Sequence, residues 1–128
     1  MELNIAEFAQ DYVAVWNEPD AGVRRRSITE LWTEDAVQYL SSTEYRGHRE
    51  LESRVGEAHE SFVAVGGFVF VLAGEPLAHH DNVVLRTDMI PAGGGDIAWS
   101  GTSILELAAD GRIRREHQYA LPLAAVRA

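Results

Sequence analysis

Apolar residues in the first part of the chain recur with the period of an α-helix. From Ile5 onward they occupy positions i, i+3, i+4, i+7, i+8 and i+11, which places them on one helical stripe. The stripe consists of Ile5, Phe8, Ala9, Tyr12, Val13 and Trp16. Asn17-Glu18-Pro19-Asp20 ends this helix, because proline disfavours helical geometry in the residue before it. Asp20 is then expected to cap a second helix that reaches about Trp32.

A second apolar stripe predicts a third helix, from about His48 to Val63. Its buried face would consist of Leu51, Val55, Ala58 and Phe62. Between the second and third helices, the apolar positions in residues 37–40 predict a short strand.

After Gly66-Gly67 the pattern changes to that of β-strands. β-Branched and aromatic residues predominate in four runs that are separated by turn-forming residues. The runs are Gly67–Ala73, Val83–Ile90, Ile97–Leu107 and Ile113–Leu121. Helices followed by antiparallel strands predict an α+β fold, and the length suits a single domain over residues 1–128.

The last two runs form a hairpin whose register can be predicted. Asp110-Gly111 indicates a two-residue turn, which sets Glu106 opposite Arg115, two opposite charges. The same register pairs Ala109 with Arg112, Leu107 with Arg114, Leu105 with Glu116, and Ser103 with Gln118. Because the odd-numbered residues from Ile97 to Leu107 are largely apolar and therefore inward, Glu116 is expected to point inward too.

The final run taken alone gives a different answer. Ile113, Tyr119 and Leu121 lie on its odd face, so burying that face would bring Arg115 and His117 inside instead of Glu116. The hairpin register is favoured here because the turn and the charge pair agree.

Composition and charge narrow the range of partners. Hydrophobic residues make up 46% of the 128 residues, there are no cysteines, and the formal net charge is −9. This charge disfavours nucleic acid, since the single basic run, residues 24–26, is flanked by acidic residues. No apolar run approaches the ~20 residues of a membrane span, and the first residues lack the basic region of a signal peptide. A cytoplasmic location without membrane attachment is therefore expected.

Five short motifs carry a family resemblance. Residues 12–20 (YVAVWNEPD), 31–36 (LWTEDA) and 45–47 (YRG) come first, and residues 101–107 (GTSILEL) and 110–113 (DGRI) close the chain. In this order and spacing they resemble the SnoaL-like and ketosteroid-isomerase-like domains of the NTF2-like superfamily. The resemblance implies an NTF2-like cone, in which three N-terminal helices pack against a strongly curved antiparallel sheet that encloses a pocket. It also implies a homodimer.

The resemblance bears on individual residues. In the steroid isomerases a first-helix tyrosine donates a hydrogen bond to the substrate oxyanion, and Tyr12 matches it. Their catalytic aspartate falls on Leu40, or on Ser41 with a one-residue shift, and neither can take a proton. Their second pocket aspartate corresponds to Ser103, so steroid isomerisation is not expected. The SnoaL-like cyclases place polar residues on the final strand, which matches the region of residues 114–118.

Glu116 is the candidate general acid or base. Beside Leu105 in an apolar cavity its pKa should rise toward neutrality, as proton transfer near pH 7 requires. The alternative is a structural carboxylate paired with Arg114 or another arginine. Tyr12 is the candidate hydrogen-bond donor to a substrate carbonyl or enolate, with a core tyrosine bonded to a polar neighbour as its alternative.

The other candidates would line the pocket or orient a ligand. Ser103 and Gln118 would orient it, or would bond to each other across the hairpin. The predicted pocket wall comprises Trp16, His59, Thr87, Met89 and Trp99. Ordinary core packing is the alternative for four of them, and a boundary histidine with satisfied hydrogen bonds is the alternative for His59.

No metal or organic cofactor is expected. His79 and His80 are adjacent, so on a strand end they would point to opposite faces and would seldom share one ion. Gly93-Gly94-Gly95 lacks the lysine and the following helix of a phosphate loop.

These observations predict an enzyme that performs acid/base chemistry on a small, largely apolar, carbonyl- or epoxide-bearing ligand. A reaction of the cyclase, isomerase, dehydratase or epoxide-hydrolase type would fit. The alternative is a non-catalytic ligand-binding or dimerisation domain, which the loss of both usual aspartates favours.

Overall fold

The computed structural model describes residues 3–121. Its helices are α1 (Ile5–Asn17), α2 (Ala21–Leu31) and α3 (Gly47–Ala58), and α3 continues into a π-helix (His59–Val65). Side chains cap the first two helices: Asn4 Oδ1 accepts a hydrogen bond from the backbone N–H of Glu7 at 3.0 Å, and Asp20 Oδ1 from that of Val23 at 2.9 Å. The predicted first and second helices are therefore confirmed.

The third helix differs from its prediction at the C-terminal end. Each hydrogen bond of a π-helix spans one residue more than in an α-helix, so the residues after Ala58 leave the stripe set by Leu51 and Val55. Phe62 was predicted on the buried face but is 41% exposed. The change of helix type takes this aromatic ring out of the buried stripe, and the ring lines a cavity instead.

Seven strands form one open, curved sheet. They are β1 (Trp32–Tyr39), β2 (Glu44–Arg46), β3 (Phe68–Leu72), β4 (Leu77–His79), β5 (Asn82–Pro91), β6 (Trp99–Leu107) and β7 (Ile113–Leu121). The order is β2-β1-β7-β6-β5-β3, and β4 also pairs with β5. β2 and β4 have three residues each, too few to give a recognisable sequence pattern.

The α+β cone is confirmed, with one difference from the expected antiparallel sheet. β1 runs parallel to β7, which makes the sheet mixed and sets Gln38 beside Glu116. The remaining strand pairs are antiparallel.

The closing hairpin resolves the conflict over the face of the last strand. Glu106 pairs with Arg115, and Leu105 with Glu116, as predicted. The turn is longer than predicted, however, and Leu107 pairs with Ile113 rather than with Arg114. The register shift at this point is a β-bulge: Arg114 is an extra residue on β7 that has no partner on β6. Ile113 and Glu116 are consequently both buried, although one is odd-numbered and the other even.

The turn that connects β6 to β7 also differs from the predicted two-residue turn. Ala108 N–H bonds to the carbonyl of Arg112 at 2.7 Å, so the predicted pair of Ala109 with Arg112 does not form. Gly111 adopts φ 87°, a left-handed conformation that glycine takes without a steric penalty.

The core lies between the helices and the concave face of the sheet. Its fully buried members come from every layer, and the largest are Tyr12, Ile28, Trp32, Leu51, Leu85 and Leu105. No helix of residues 3–121 is long and apolar enough to cross a bilayer.

Gly101 gives a direct test of the packing around the cavity. A Cβ atom at this buried position would lie 2.8 and 2.9 Å from Cζ2 and Cζ3 of Trp99, closer than carbon atoms approach. We expect Gly101→Ala to displace that indole and to lower the free energy of unfolding by about 1–3 kcal/mol. Chemical denaturation and tryptophan emission measure the two effects. Gly93→Ala is the matched control, because nothing lies within 4 Å of its added methyl group; equal stability of both variants would contradict the packing.

Candidate active site

A cavity of about 510 Å³ lies between the helices and the sheet. Much of its wall is apolar and aromatic, formed by Val13, Trp16, Phe62, Phe70, Met89 and Trp99. Polar side chains also line it, among them Arg54 from α3, Thr87 from β5 and Gln118 from β7. A cavity of this size, largely apolar with a few convergent polar groups, is typical of small-molecule sites.

Tyr12, Ser103 and Glu116 form a buried polar cluster next to this cavity. The Tyr12 hydroxyl donates a short hydrogen bond to Glu116 Oε2, and Ser103 Oγ donates to the same oxygen at 3.2 Å. The two hydroxyl groups are 3.4 Å apart. Tyr12 lines the cavity, whereas Glu116 and Ser103 lie behind it, and Glu116 is 0% exposed.

Burial changes the acidity of both ionisable members of the cluster. Loss of solvation raises the pKa of Glu116 above its ordinary 4.5, because the charged form is poorly solvated, and the hydrogen bond from Tyr12 offsets part of this rise. Burial, together with the nearby Glu116 charge, raises the pKa of Tyr12 well above 10. The cluster therefore favours a neutral phenol and a carboxyl group that can hold its proton closer to pH 7.

Gln38 lies beside Glu116 on the neighbouring strand and bonds to Arg54. Arg54 Nε donates to Gln38 Oε1 at 3.3 Å, and Arg54 Nη2 donates to Gln118 Oε1 at 3.1 Å. The amide nitrogen of Gln38 and Oε1 of Glu116 are both buried without a hydrogen-bond partner in the described residues. Gln38 is near enough to help lower the pKa of Glu116, but the geometry between these two atoms falls short of a hydrogen bond.

A family model described as a SnoaL-like domain matches residues 9–116. The chain belongs to the SnoaL-like family. No curated protein matches the chain.

Solved structures share this fold. The "putative isomerase of the SnoaL-like family" from Agrobacterium tumefaciens is 27% identical, with 92% of this chain and 97% of that chain covered and a TM-score of 0.82. A SnoaL-like protein of unknown function from Burkholderia thailandensis is 12% identical, with 95% and 99% covered and a TM-score of 0.68. A "putative polyketide cyclase" from Sinorhizobium meliloti is 17% identical, with 88% and 94% covered and a TM-score of 0.64. The last two likenesses concern the fold alone.

The sequence-predicted site residues of this SnoaL-like domain fall into two groups. Those that line the cavity are Tyr12, Trp16, Thr87, Met89, Trp99 and Gln118. The other three, His59, Ser103 and Glu116, are buried behind the wall. His59 Nδ1 lies 3.1 Å from the carbonyl oxygen of Trp16, so it connects the π-helix to α1.

Two predicted alternatives are resolved by the contacts. Ser103 and Gln118 are register partners, but their side chains bond elsewhere, to Glu116 and Arg54 respectively. Arg114 pairs with Glu106 and Asp81, so it does not neutralise Glu116.

His117 also lies at the cavity, although it does not replace Glu116. Its ring is exposed and stacks on Tyr39 at 4.8 Å between centroids. Leu40 and Ser41, which match the catalytic aspartate of the steroid isomerases, border the same cavity. That part of the wall is present in this domain, but at those two positions it carries no carboxylate.

Arg54 and Gln38 are the site residues that the sequence analysis missed. Arg54 lies three residues after Leu51 and four before Ala58, so a charged side chain on the predicted buried face of a helix was the available signal. Gln38 is 0% exposed within an otherwise apolar strand segment, but its partners come from α3 and β7, which local pattern does not reveal. Among residues 3–121, no three His, Asp or Glu side chains are grouped as a metal site.

The raised pKa of Glu116 predicts a pH-dependent stability. The folded state holds a proton that the unfolded state releases above pH 4.5, so this contribution to the free energy of unfolding falls as pH rises from there to the folded pKa. In Glu116→Gln the side chain stays neutral at every pH. We therefore expect the variant to lose the decrease in the free energy of unfolding with pH, which is up to about 1.4 kcal/mol per pH unit in the wild type. Urea denaturation between pH 5 and pH 8 measures it. The exposed Glu60→Gln should retain the wild-type profile; parallel profiles for Glu116→Gln and wild type would refute the assignment.

Proposed function

We propose that this SnoaL-like protein is an enzyme that transfers a proton to or from a small, largely apolar, carbonyl- or epoxide-bearing ligand. One observation carries the proposal. A buried carboxyl group with a raised pKa is hydrogen-bonded to a tyrosine that lines the cavity. A raised carboxyl pKa at a cleft is a recognised mark of general acid/base catalysis.

The hydrogen bond between Tyr12 and Glu116 can carry a proton in either direction. When Glu116 is ionised, the Tyr12 oxygen can accept a proton from a ligand carbon while its own proton passes to Glu116 Oε2. When Glu116 is protonated, it can donate to the Tyr12 oxygen, and the tyrosine proton is then available to a ligand oxygen. Tyr12 begins and ends each transfer neutral, which agrees with its raised pKa.

The surroundings favour such a relay. Ser103 holds the acceptor oxygen of Glu116 from a second direction, and the apolar wall excludes water, which strengthens both hydrogen bonds. A positioned acid or base of this kind contributes about 10²–10⁴-fold in rate. Two structural neighbours are described as a "putative isomerase" and a "putative polyketide cyclase", and proton transfer is a usual step in both reaction classes.

A non-catalytic ligand-binding domain is the second candidate, and a specific observation favours it. Tyr12 is 1% exposed and Glu116 0%, and Tyr12 is the one member of the described cluster that lines the cavity. Leu40 and Ser41 provide no base on the nearby wall. In this case the cluster would stabilise the core without taking part in chemistry.

Isotope exchange at carbon separates the two candidates without knowledge of the natural substrate. We expect beta-tetralone and a long-chain methyl ketone, incubated in D₂O, to lose their α-proton NMR signals faster with the protein than without it. Tyr12→Phe and Glu116→Gln should each reduce the protein-catalysed rate by about 10²-fold or more.

Glu60→Gln is the matched control, because it removes an exposed carboxylate that is not part of the Tyr12–Glu116 pair. Its exchange rate should equal that of the wild type. Ketones that bind, as shown by quenching of Trp16 and Trp99, but exchange equally fast with all variants would favour the non-catalytic candidate.

The homodimer implied by the family resemblance is proposed to use the outer face of the sheet. Sedimentation equilibrium at micromolar concentration tests it, with twice the mass of 14.1 kDa as the expected result. A single species of monomer mass would contradict it.

A further inference from the structure

We propose that the ligand of this cavity carries a carboxylate, which binds the guanidinium of Arg54 while its apolar body lies against the aromatic wall. The inference rests on the proposed use of the cavity as a small-molecule site, but not on catalysis there. The Tyr12–Glu116 pair does not determine the charge of the ligand, whereas Arg54 does.

Arg54 is placed as a binding group rather than as a surface charge. It is half-buried on the side of α3 whose neighbours Leu51 and Ala58 are buried, and it lines the cavity. Its guanidinium carbon lies 5.2 Å from the ring centre of Trp16 and 5.8 Å from that of Tyr45. These two rings fix the plane of the guanidinium by cation–π contact.

One edge of the guanidinium is occupied and the other is open. Nε and Nη2 donate to the side-chain oxygens of Gln38 and Gln118, which holds the group rigidly along that edge. Nη1 has no hydrogen-bond partner among residues 3–121. The open edge, Nη1 with the second hydrogen of Nη2, has the spacing that binds both oxygens of a carboxylate.

The guanidinium of Arg54 also has no ion-pair partner within the described residues, although its charge acts at longer range on Glu116 and lowers the pKa of that carboxyl group. Both of its hydrogen-bond partners are neutral amides, and no carboxylate of residues 3–121 lies within ion-pair distance of it. Other arginines do have such partners, as in Arg25–Glu52 and Arg112–Asp110. A partly desolvated cation without a counter-ion is costly, and a bound anion would remove that cost.

The rest of the cavity selects what the carboxylate is attached to. Phe62, Phe70 and Trp99 offer apolar and aromatic surface, and about 510 Å³ holds a body larger than a simple carboxylic acid such as acetate. The net charge of −9 repels anions at long range, so affinity has to come from the local contact with Arg54. The chemical class is therefore an aryl- or alkyl-substituted carboxylic acid.

Matched pairs of ligands test this inference, since a carboxamide has nearly the shape of a carboxylate without its charge. The probes are naphthylacetate with naphthylacetamide and decanoate with decanamide, followed by tryptophan quenching and calorimetry at low salt. We expect wild-type protein to bind each carboxylate roughly tenfold or more tightly than its amide, a difference of about 1.4 kcal/mol. Arg54→Gln should reduce that ratio to about one.

Two further variants control for structure and charge. Arg54→Lys keeps the charge but lacks the two-pronged edge, so the preference for the carboxylate should persist in reduced form. The exposed Arg26→Gln, which removes one positive charge elsewhere, should leave the ratio unchanged. If Arg54→Gln fails to fold by circular dichroism, the wild-type ratio and the Arg54→Lys ratio decide the question.

Amides that bind as tightly as the carboxylates to wild type would overturn the inference. So would the absence of carboxylate binding up to the solubility limit. The proposed function is tested separately: carboxylate preference without ketone exchange leaves this inference standing and favours the binding candidate. Isotope exchange of the ketones without a preference for carboxylates would overturn this inference but leave the proposed function standing.

Discussion

The site depends on the burial of one carboxyl group, Glu116, against the hydroxyl of Tyr12. A carboxyl group without solvent contact is tolerated because Tyr12 and Ser103 both donate to its Oε2 oxygen. These three residues come from α1, β6 and β7, so the same hydrogen bonds join the first helix to the concave face of the sheet. These hydrogen bonds stabilise the fold whether or not they serve catalysis. They also place a carboxyl group of raised pKa directly behind a tyrosine that lines the cavity.

The β-bulge at the closing hairpin makes this burial possible. Regular alternation along β7 would bury either Ile113 or Glu116, but not both. The bulge shifts the alternation by one residue between them, so that Ile113 completes the core and Glu116 meets Tyr12. Arg114 and Arg115, which the bulge leaves outside, pair with Glu106 on the outer face. A local irregularity of the backbone thus determines which side chain of β7 reaches the hydroxyl of Tyr12.

The cavity has two polar regions with different roles. The cluster of Tyr12 and Glu116 is buried and able to exchange a proton, whereas Arg54 is a fixed positive charge on the cavity wall. Gln38 lies between them, bonded to Arg54 and adjacent to Glu116 on the neighbouring strand. Arg54 forms no ion pair with Glu116, and its charge offsets only a small part of the rise in the pKa of Glu116 that burial causes.

The sequence by itself determined the first two helices, the first part of the third, most of the strands and the inward direction of Glu116. Caps, hydrophobic periods and a charge pair are local or nearly local signals. The family motifs extended this to an α+β cone with a pocket. Only the tertiary structure decided that β1 runs parallel to β7, that Phe62 leaves the core, and that Arg54 and Gln38 belong to the site. The physical reason is that these features depend on contacts between residues far apart in the chain, such as Arg54 with Gln118, which no local pattern of polarity encodes.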